Sequence, residues 1–240
     1  PSVDEMIRKL GTEEDPIIVD TYDEFYDAVE YNGELYIQID ANIEVEEFVS
    51  TPSIRGTKII TINGKLESFG SNHKFFSFNA SASSEGKLTL QGTGEIIVRG
   101  SVMEESWHDL VFDWDIIIRG DLTFKSNSLE NTPMFAVDAN IRVEGGTFIP
   151  RASNDVFSPH PQTTQKVVLA GGSFPNGMLN AALGGYNQNL SCITLENGFF
   201  FELPDGTITR KIERDAGPVE VVDSGFRLGF AQQSPTMPEG

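Results

Sequence analysis

The spacing of hydrophobic positions changes once along this chain. Up to residue 33 it is helical. Val3, Met6, Ile7 and Leu10 fall at i, i+3, i+4 and i+7, one stripe of an amphipathic helix. Ser2 and Glu5 supply a capping box before it, and Gly11 supplies the stop signal. The same grammar recurs downstream. Thr21 and Glu24 form the box, Tyr22, Phe25, Tyr26 and Val29 form the stripe, and Asn32-Gly33 ends it. Pro16 to Val19, between the two, reads as a short strand.

After Gly33 short β-rich runs ending in glycine take over. They are Ile59 to Gly64, Leu88 to Gly92, Ile116 to Gly120, Ile141 to Gly145, Val167 to Gly171, Ile193 to Gly198 and Val219 to Gly225. The marker glycines stand 28, 28, 25, 26, 27 and 27 residues apart. So even a recurrence predicts stacked supersecondary units. Helical repeats are excluded, because no unit carries a helical stripe. The Leu-x-x-Leu-x-Leu frame of leucine-rich repeats is absent, and a propeller blade needs about 40 residues. A coil of three short strands and three turns fits. The predicted fold class is therefore all-β: a parallel β-helix solenoid.

A glycine followed by an aromatic position recurs in Gly145-Gly146-Thr147-Phe148, Gly171-Gly172-Ser173-Phe174, Gly198-Phe199-Phe200 and Gly225-Phe226. The glycine permits a tight corner. The phenylalanine after it is expected to point inward and stack on its counterpart one coil away. Stacked coils leave an open edge that invites aggregation and is normally covered. The Tyr22 to Glu30 helix is the expected N-terminal cap. The Val3 to Leu10 helix precedes it, with Val3, Met6, Ile7 and Leu10 as docking residues for a partner or for its own solenoid. The organisation expected is 1–33 as docking and capping helices, 34–230 as β-helix and 231–240 as an extended tail.

Charge narrows the partners. The 240 residues carry 17 basic and 36 acidic side chains, a net charge of −19. A surface that binds nucleic acid or an anionic membrane must bring positive charge, so neither partner is expected. No run of about 18 apolar residues is present to span a bilayer. No apolar signal segment opens the chain. The single cysteine, Cys192, allows neither an internal disulfide nor a Cys-based metal site.

Candidate chemistry concentrates between Glu104 and Asp115. If Leu110 to Trp114 is a strand, Asp113 and Asp115 share one face. Two such carboxylates suit a Ca²⁺ ion, or catalysis of glycoside cleavage together with His108. Trp107 and Asp109 would bind the ligand. The competing reading places Phe112 and Trp114 in the core and the aspartates on a solvated face or in a turn. His73 and His160 lie in loops without an evident orienting partner. The Pro150 to Gln165 stretch reads as an excursion from the solenoid.

The segment from Ile17 to Val29, continuing through Gly33 to Ile43, resembles the opening of right-handed parallel β-helix proteins of the pectate-lyase-like type. There a capping helix leads into a first coil, followed by strand–glycine coils. The group includes polysaccharide lyases and hydrolases, and also short non-catalytic β-helices of bacteriophage virions. The pectin-hydrolase motifs Asn-Thr-Asp, Asp-Asp, Gly-His-Gly and Arg-Ile-Lys are all missing. The resemblance then implies a non-catalytic virion component, decorating a capsid or associated with a tail. Its partners would be other virion proteins, further copies of itself or a surface glycan, and it would need no cofactor. The alternative it leaves open is a polysaccharide-binding or polysaccharide-cleaving β-helix enzyme.

Overall fold

A computed structural model describes residues 11–46, 49–71, 73–78, 86–105, 115–128, 132–137, 139–151, 156–157, 167–174 and 193–196, and the backbone of short strands beyond 197. Two strands and a helix open it: β1 (Ile17–Ile18), α1 (Tyr22–Glu30) and β2 (Leu35–Ile39). The first coil adds β3 (Asn42–Val45) and β4 (Ser53–Ile54). The second is β5 (Thr57–Ile62), β6 (Lys65–Ser68) and β7 (Lys74–Phe78). The third is β8 (Lys87–Gly92), β9 (Glu95–Val98) and β10 (Ser101–Glu105). The fourth is β11 (Ile116–Ile118), β12 (Thr123–Ser126) and β13 (Phe135–Val137). Then come β14 (Ile141–Val143), β15 (Thr147–Ile149), β16 (Val167–Leu169) and β17 (Ile193–Leu195).

Strands of successive coils lie side by side. The first sheet runs β1-β2-β5-β8-β11-β14-β16-β17, the second β3-β6-β9-β12-β15, and the third β4-β7-β10-β13. Every pairing within these three sheets is parallel. Among the described residues the fold is an all-β parallel solenoid of about four turns, with one short helix near the N-terminus. Past residue 197, β18 (Gly198–Glu202), β19 (Ile208–Thr209), β20 (Lys211–Ile212), β21 (Val219–Glu220) and β22 (Gly225–Gly229) follow. There β18 pairs parallel with β22, Gly198 opposite Gly225, while β18–β19 and β20–β21 are antiparallel.

Period-2 alternation produces the core. In the first sheet Ile37, Ile60, Leu90, Ile118, Val143 and Leu169 form one inward column, paired coil to coil. All are buried. A buried aliphatic side chain of this size contributes about 1.5–3 kcal/mol. The expected phenylalanine stack is present. Phe148 lies between Phe124 and Phe174, with centroids 4.8 and 4.9 Å away and rings within 9° of parallel. Phe135 and Phe157 pack against its flank. The side chains of Phe199, Phe200 and Phe226, expected to extend the stack, lie outside the described residues.

The capping helix also forms as expected. Thr21 is the N-cap, and its side chain and that of Glu24 complete a reciprocal capping box. The buried face is Phe25, Ala28 and Val29, while Tyr22 and Tyr26 are half-buried. Phe25 meets Phe76 of the second coil edge-on at 5.6 Å. Glu30 accepts the β4 edge amide of Ser53 at 2.7 Å and pairs with Arg55 at 3.3 Å. The helix thus satisfies an edge donor as well as covering the core. The Val3 to Leu10 helix, with its docking residues Val3, Met6, Ile7 and Leu10, lies outside the described residues, as does the 231–240 tail.

One expectation needs correction. Gly64 does not align with Gly92. Ile62 pairs with Gly92, and a Cβ on Gly94 would lie 2.0 Å from the Gly64 carbonyl. The marker series therefore moves from one glycine column to its neighbour between the second and third coils. Gly92, Gly120, Gly145 and Gly171 do stack. A Cβ on each of the last three would meet the backbone of the preceding corner at 3.0, 2.4 and 2.2 Å.

Candidate functional site

Of the acidic cluster the described residues include the backbone of Glu104 and Glu105, at the end of β10, and the whole of Asp115. Trp107, His108, Asp109 and Asp113 lie outside them, as do His160 and Cys192. Asp115 is fully buried, so it is not part of a solvated acidic face. It stands at the corner before β11. Its carboxylate accepts the Asn140 amide at 2.8 Å, and its own amide donates to the Asn140 carbonyl at 2.9 Å. Its carbonyl accepts the Leu88 amide at 2.8 Å. Asp115 therefore joins three consecutive coils, a role that carboxylate-to-backbone bonds fill well. Among the described residues no group of three or more His, Cys, Asp and Glu could hold a metal ion. No helix among them is long and apolar enough to cross a membrane.

An open groove of about 390 Å³ lies on the outside of the corner between the first and second sheets. Thr61, Gln91, Thr93, Arg119 and Asp121 supply its polar groups, and Gly92 and Gly120 keep its floor clear of side chains. Its polar wall is a ladder across three coils. Gln91 Nε2 donates to Thr61 Oγ1 at 2.9 Å, and Arg119 Nε donates to Gln91 Oε1 at 2.6 Å. The coil-to-coil hydrogen bonds hold these side chains in a row along the groove. The lining contains one carboxylate, Asp121, and no imidazole. Glycoside cleavage ordinarily uses two carboxylates, and the described lining supplies one.

Two buried basic side chains mark the joint between α1 and the solenoid. Lys58 occupies the inward column between Leu35 and Leu88 and is fully buried. Its ammonium donates to the carbonyls of Tyr31, at 2.7 Å, Gly33, at 2.8 Å, and Arg55. Three donors meet three acceptors, so the loop after α1 is tied to the second coil. Burial pushes the amine down to about 8. His73 is buried too, and burial pushes its imidazole down to about 4. Tyr22 Oη lies 2.6 Å from the Ser50 carbonyl and 3.3 Å from His73 Nε2. The phenol has one proton and a carbonyl only accepts. Tyr22 therefore donates to Ser50, and His73 Nε2–H donates to Tyr22. That leaves Nδ1 as a buried acceptor with no partner among the described residues. Burial also raises the Tyr22 phenol, and neighbouring Tyr26 and Asp23 push the same way.

Sequence reasoning placed His73 in a loop but missed its burial, and missed Lys58 and the groove altogether. Lys58 carried a signal: it alternates with Ile60 and Ile62 in one strand, on the inward face. The groove carried none within any single coil. No family model matches this chain, and neither a curated protein nor a solved structure matches it.

Proposed function

We propose that the protein is a non-catalytic structural or interaction module, a short β-helix of the kind displayed on bacteriophage virions by a capsid or tail. The observation that carries this reading is the continuous core. The Phe124, Phe148 and Phe174 stack, the aliphatic columns and the in-register parallel ladders form one stiff body, and α1 closes its N-terminal end. Such a body keeps its shape outside a cell without a disulfide. The pectate-lyase-like opening of the sequence supports the same placement, and the net charge of −19 keeps copies soluble and apart. The docking element in this reading is the Val3 to Leu10 stripe.

The test is incorporation into particles. Mass spectrometry of purified virions should find the chain at fixed stoichiometry, and deletion of residues 1–11 should abolish its incorporation without unfolding the solenoid. Absence from purified particles would remove the virion placement. The Thr61–Gln91–Arg119 groove favours a second reading, glycan binding without cleavage. Asp121→Asn and Arg119→Ala should then weaken retention on a polysaccharide column, while no variant releases reducing ends.

A further inference from the structure

Tyr22 and His73 make the polar contact between the start of α1 and the second coil, while Lys58 holds the residues that follow the helix. The ring of His73 is walled by Tyr22, with centroids 5.9 Å apart, and by Phe75, with centroids 5.1 Å apart. Its Nε2 points to Tyr22, and its Nδ1 is buried without a partner among the described residues. We propose that this contact is an acid-operated latch: protonation of His73 detaches α1 from the second coil and uncovers the N-terminal end of the solenoid.

The chemistry is that of a buried charge. An imidazolium has two N–H donors, and the Nδ1–H would face no acceptor among the described residues. A buried charge without counter-charge is expensive, and movement relieves it. The strand that follows His73, β7, is central, bonded to both β4 and β10. Gly100 also packs against the His73 carbonyl, 2.2 Å from where a Cβ would sit. The helix is the side of the joint that would yield, because it is one short element packed on β3 and β4. Its departure would uncover Phe25 and Phe76, which meet edge-on, and the β3 and β4 ends of the second and third sheets. Exposed strand edges pair readily with other chains.

Other charged groups surround the joint. On α1, Asp23 and Tyr26 flank Tyr22, Glu24 belongs to the capping box, and Glu30 pairs with Arg55. On the solenoid, Lys74 follows His73, and Arg99 lies over the Phe69 ring at 5.8 Å. None of these makes a described contact with Nδ1. The low proton affinity of the closed site, about 4 for His73, against about 6.5 for a free imidazole, sets the working range. Protonation favours the open form as pH falls through that interval. The latch does not depend on what the outer surface binds.

The test is a two-dimensional NMR titration of the full chain from pH 7.5 to 3.5. The amides of residues 22–30 should leave their docked positions in one step that tracks the His73 ring, while those of β8 and β11 hold theirs. His73→Gln keeps a donor for Tyr22 and cannot be protonated. In this variant the step should vanish or move down by at least about one pH unit, tenfold in proton concentration. His73→Phe serves the same purpose if the first variant does not fold. Two results would overturn the latch. One is α1 staying docked while His73 titrates in the wild type. The other is an unchanged step in the non-titrating variants, which would assign the release to carboxylates such as Glu30.

Discussion

The corner between the first and second sheets behaves differently from the other two. Two residues separate β2 from β3, β5 from β6 and β8 from β9, four separate β11 from β12, and three separate β14 from β15, so this corner stays short in every coil. Elsewhere the connection changes from coil to coil: Ser68 to Lys74 but Val98 to Ser101 on one side, Ile54 to Thr57 but Glu105 to Ile116 on the other. This uniformly short corner is where backbones stack directly. A Cβ on Gly64, Gly92 or Gly94 would lie 2.0–2.1 Å from a carbonyl oxygen of the coil before. Tight glycines occur at the other corners too, with Cβ positions at Gly56, Gly86 and Gly100 lying 2.7, 2.8 and 2.2 Å from a carbonyl oxygen, but among the described residues this corner carries the longest series, from Gly64 to Gly171. The difference separates two jobs. One corner sets the rise of the solenoid, and the others accept connections of different length, as surface connections commonly do.

The largest effect should therefore come from adding one methyl group at the short corner. Gly92 has φ +119° and its Cβ position is 2.1 Å from the Ile62 carbonyl. Gly92→Ala combines left-handed backbone strain with a backbone clash and should cost about 4 kcal/mol or more. Urea unfolding monitored by circular dichroism would measure it. A loss below about 1 kcal/mol would mean that the corners are not held by backbone approach. Phe148→Ala should come next. It removes the middle ring of the stack and leaves a cavity between Phe124 and Phe174, at about 3–5 kcal/mol. A much smaller loss would show that Phe135 and Phe157 collapse into the gap.

Much of this architecture could be read from the chain, and the failures are as instructive. The α1 cap was legible because Thr21 and Glu24 sit three apart before an apolar stripe. The Phe148 and Phe174 stack was legible because each phenylalanine follows a Gly-Gly corner at the same distance. The choice between Gly92 and Gly94 was not, since only the carbonyl beneath each shows which column it joins. Asp115 misled the alternation argument. That argument extended a strand from residue 110 and put Asp115 on its outer face beside Asp113. The observed strand β11 begins at Ile116, so Asp115 belongs to the corner, where it is buried and bonded to the Asn140 amide. The groove was beyond sequence reasoning. Thr61, Gln91 and Arg119 come from three coils, and register alone makes them neighbours.

Lys58 sharpens the comparison from inside the sheet. It is the charged member of an otherwise aliphatic column, and it ties α1's exit loop to the second coil. Lys58→Met keeps the volume but leaves three carbonyls without their donor, so a loss of about 2 kcal/mol is expected. The pH dependence has a definite sign. The folded pKa, about 8, lies below the unfolded value of about 10.4. Between these values the unfolded chain binds more protons, so this group's contribution to stability rises with pH. Below pH 8 the amine is charged in both states and contributes no slope. The wild type should gain stability relative to Lys58→Met from about pH 8 to pH 10.4. A flat difference over that range would show that the three carbonyls hold the ammonium charged throughout.

The smallest effect tests the other half of the comparison. β7 ends at Phe78 and β8 begins at Lys87, which leaves eight residues at a corner whose length varies between coils. Inserting Gly-Ser-Gly after Ser83 lengthens this connection to eleven. Loop-closure entropy grows only with the logarithm of length, so the expected cost is about 0.3 kcal/mol. The pairing of Lys58 with Leu88 and of Ile60 with Leu90 should survive, because no strand is displaced within its sheet. Thermal unfolding of the insertion variant would then fall within about 2 °C of the parent, given an entropy of unfolding of about 2.1 cal/mol/K per residue. A loss above about 2 kcal/mol would show that this corner, too, fixes the rise of the coils, and the distinction between the corners would fail.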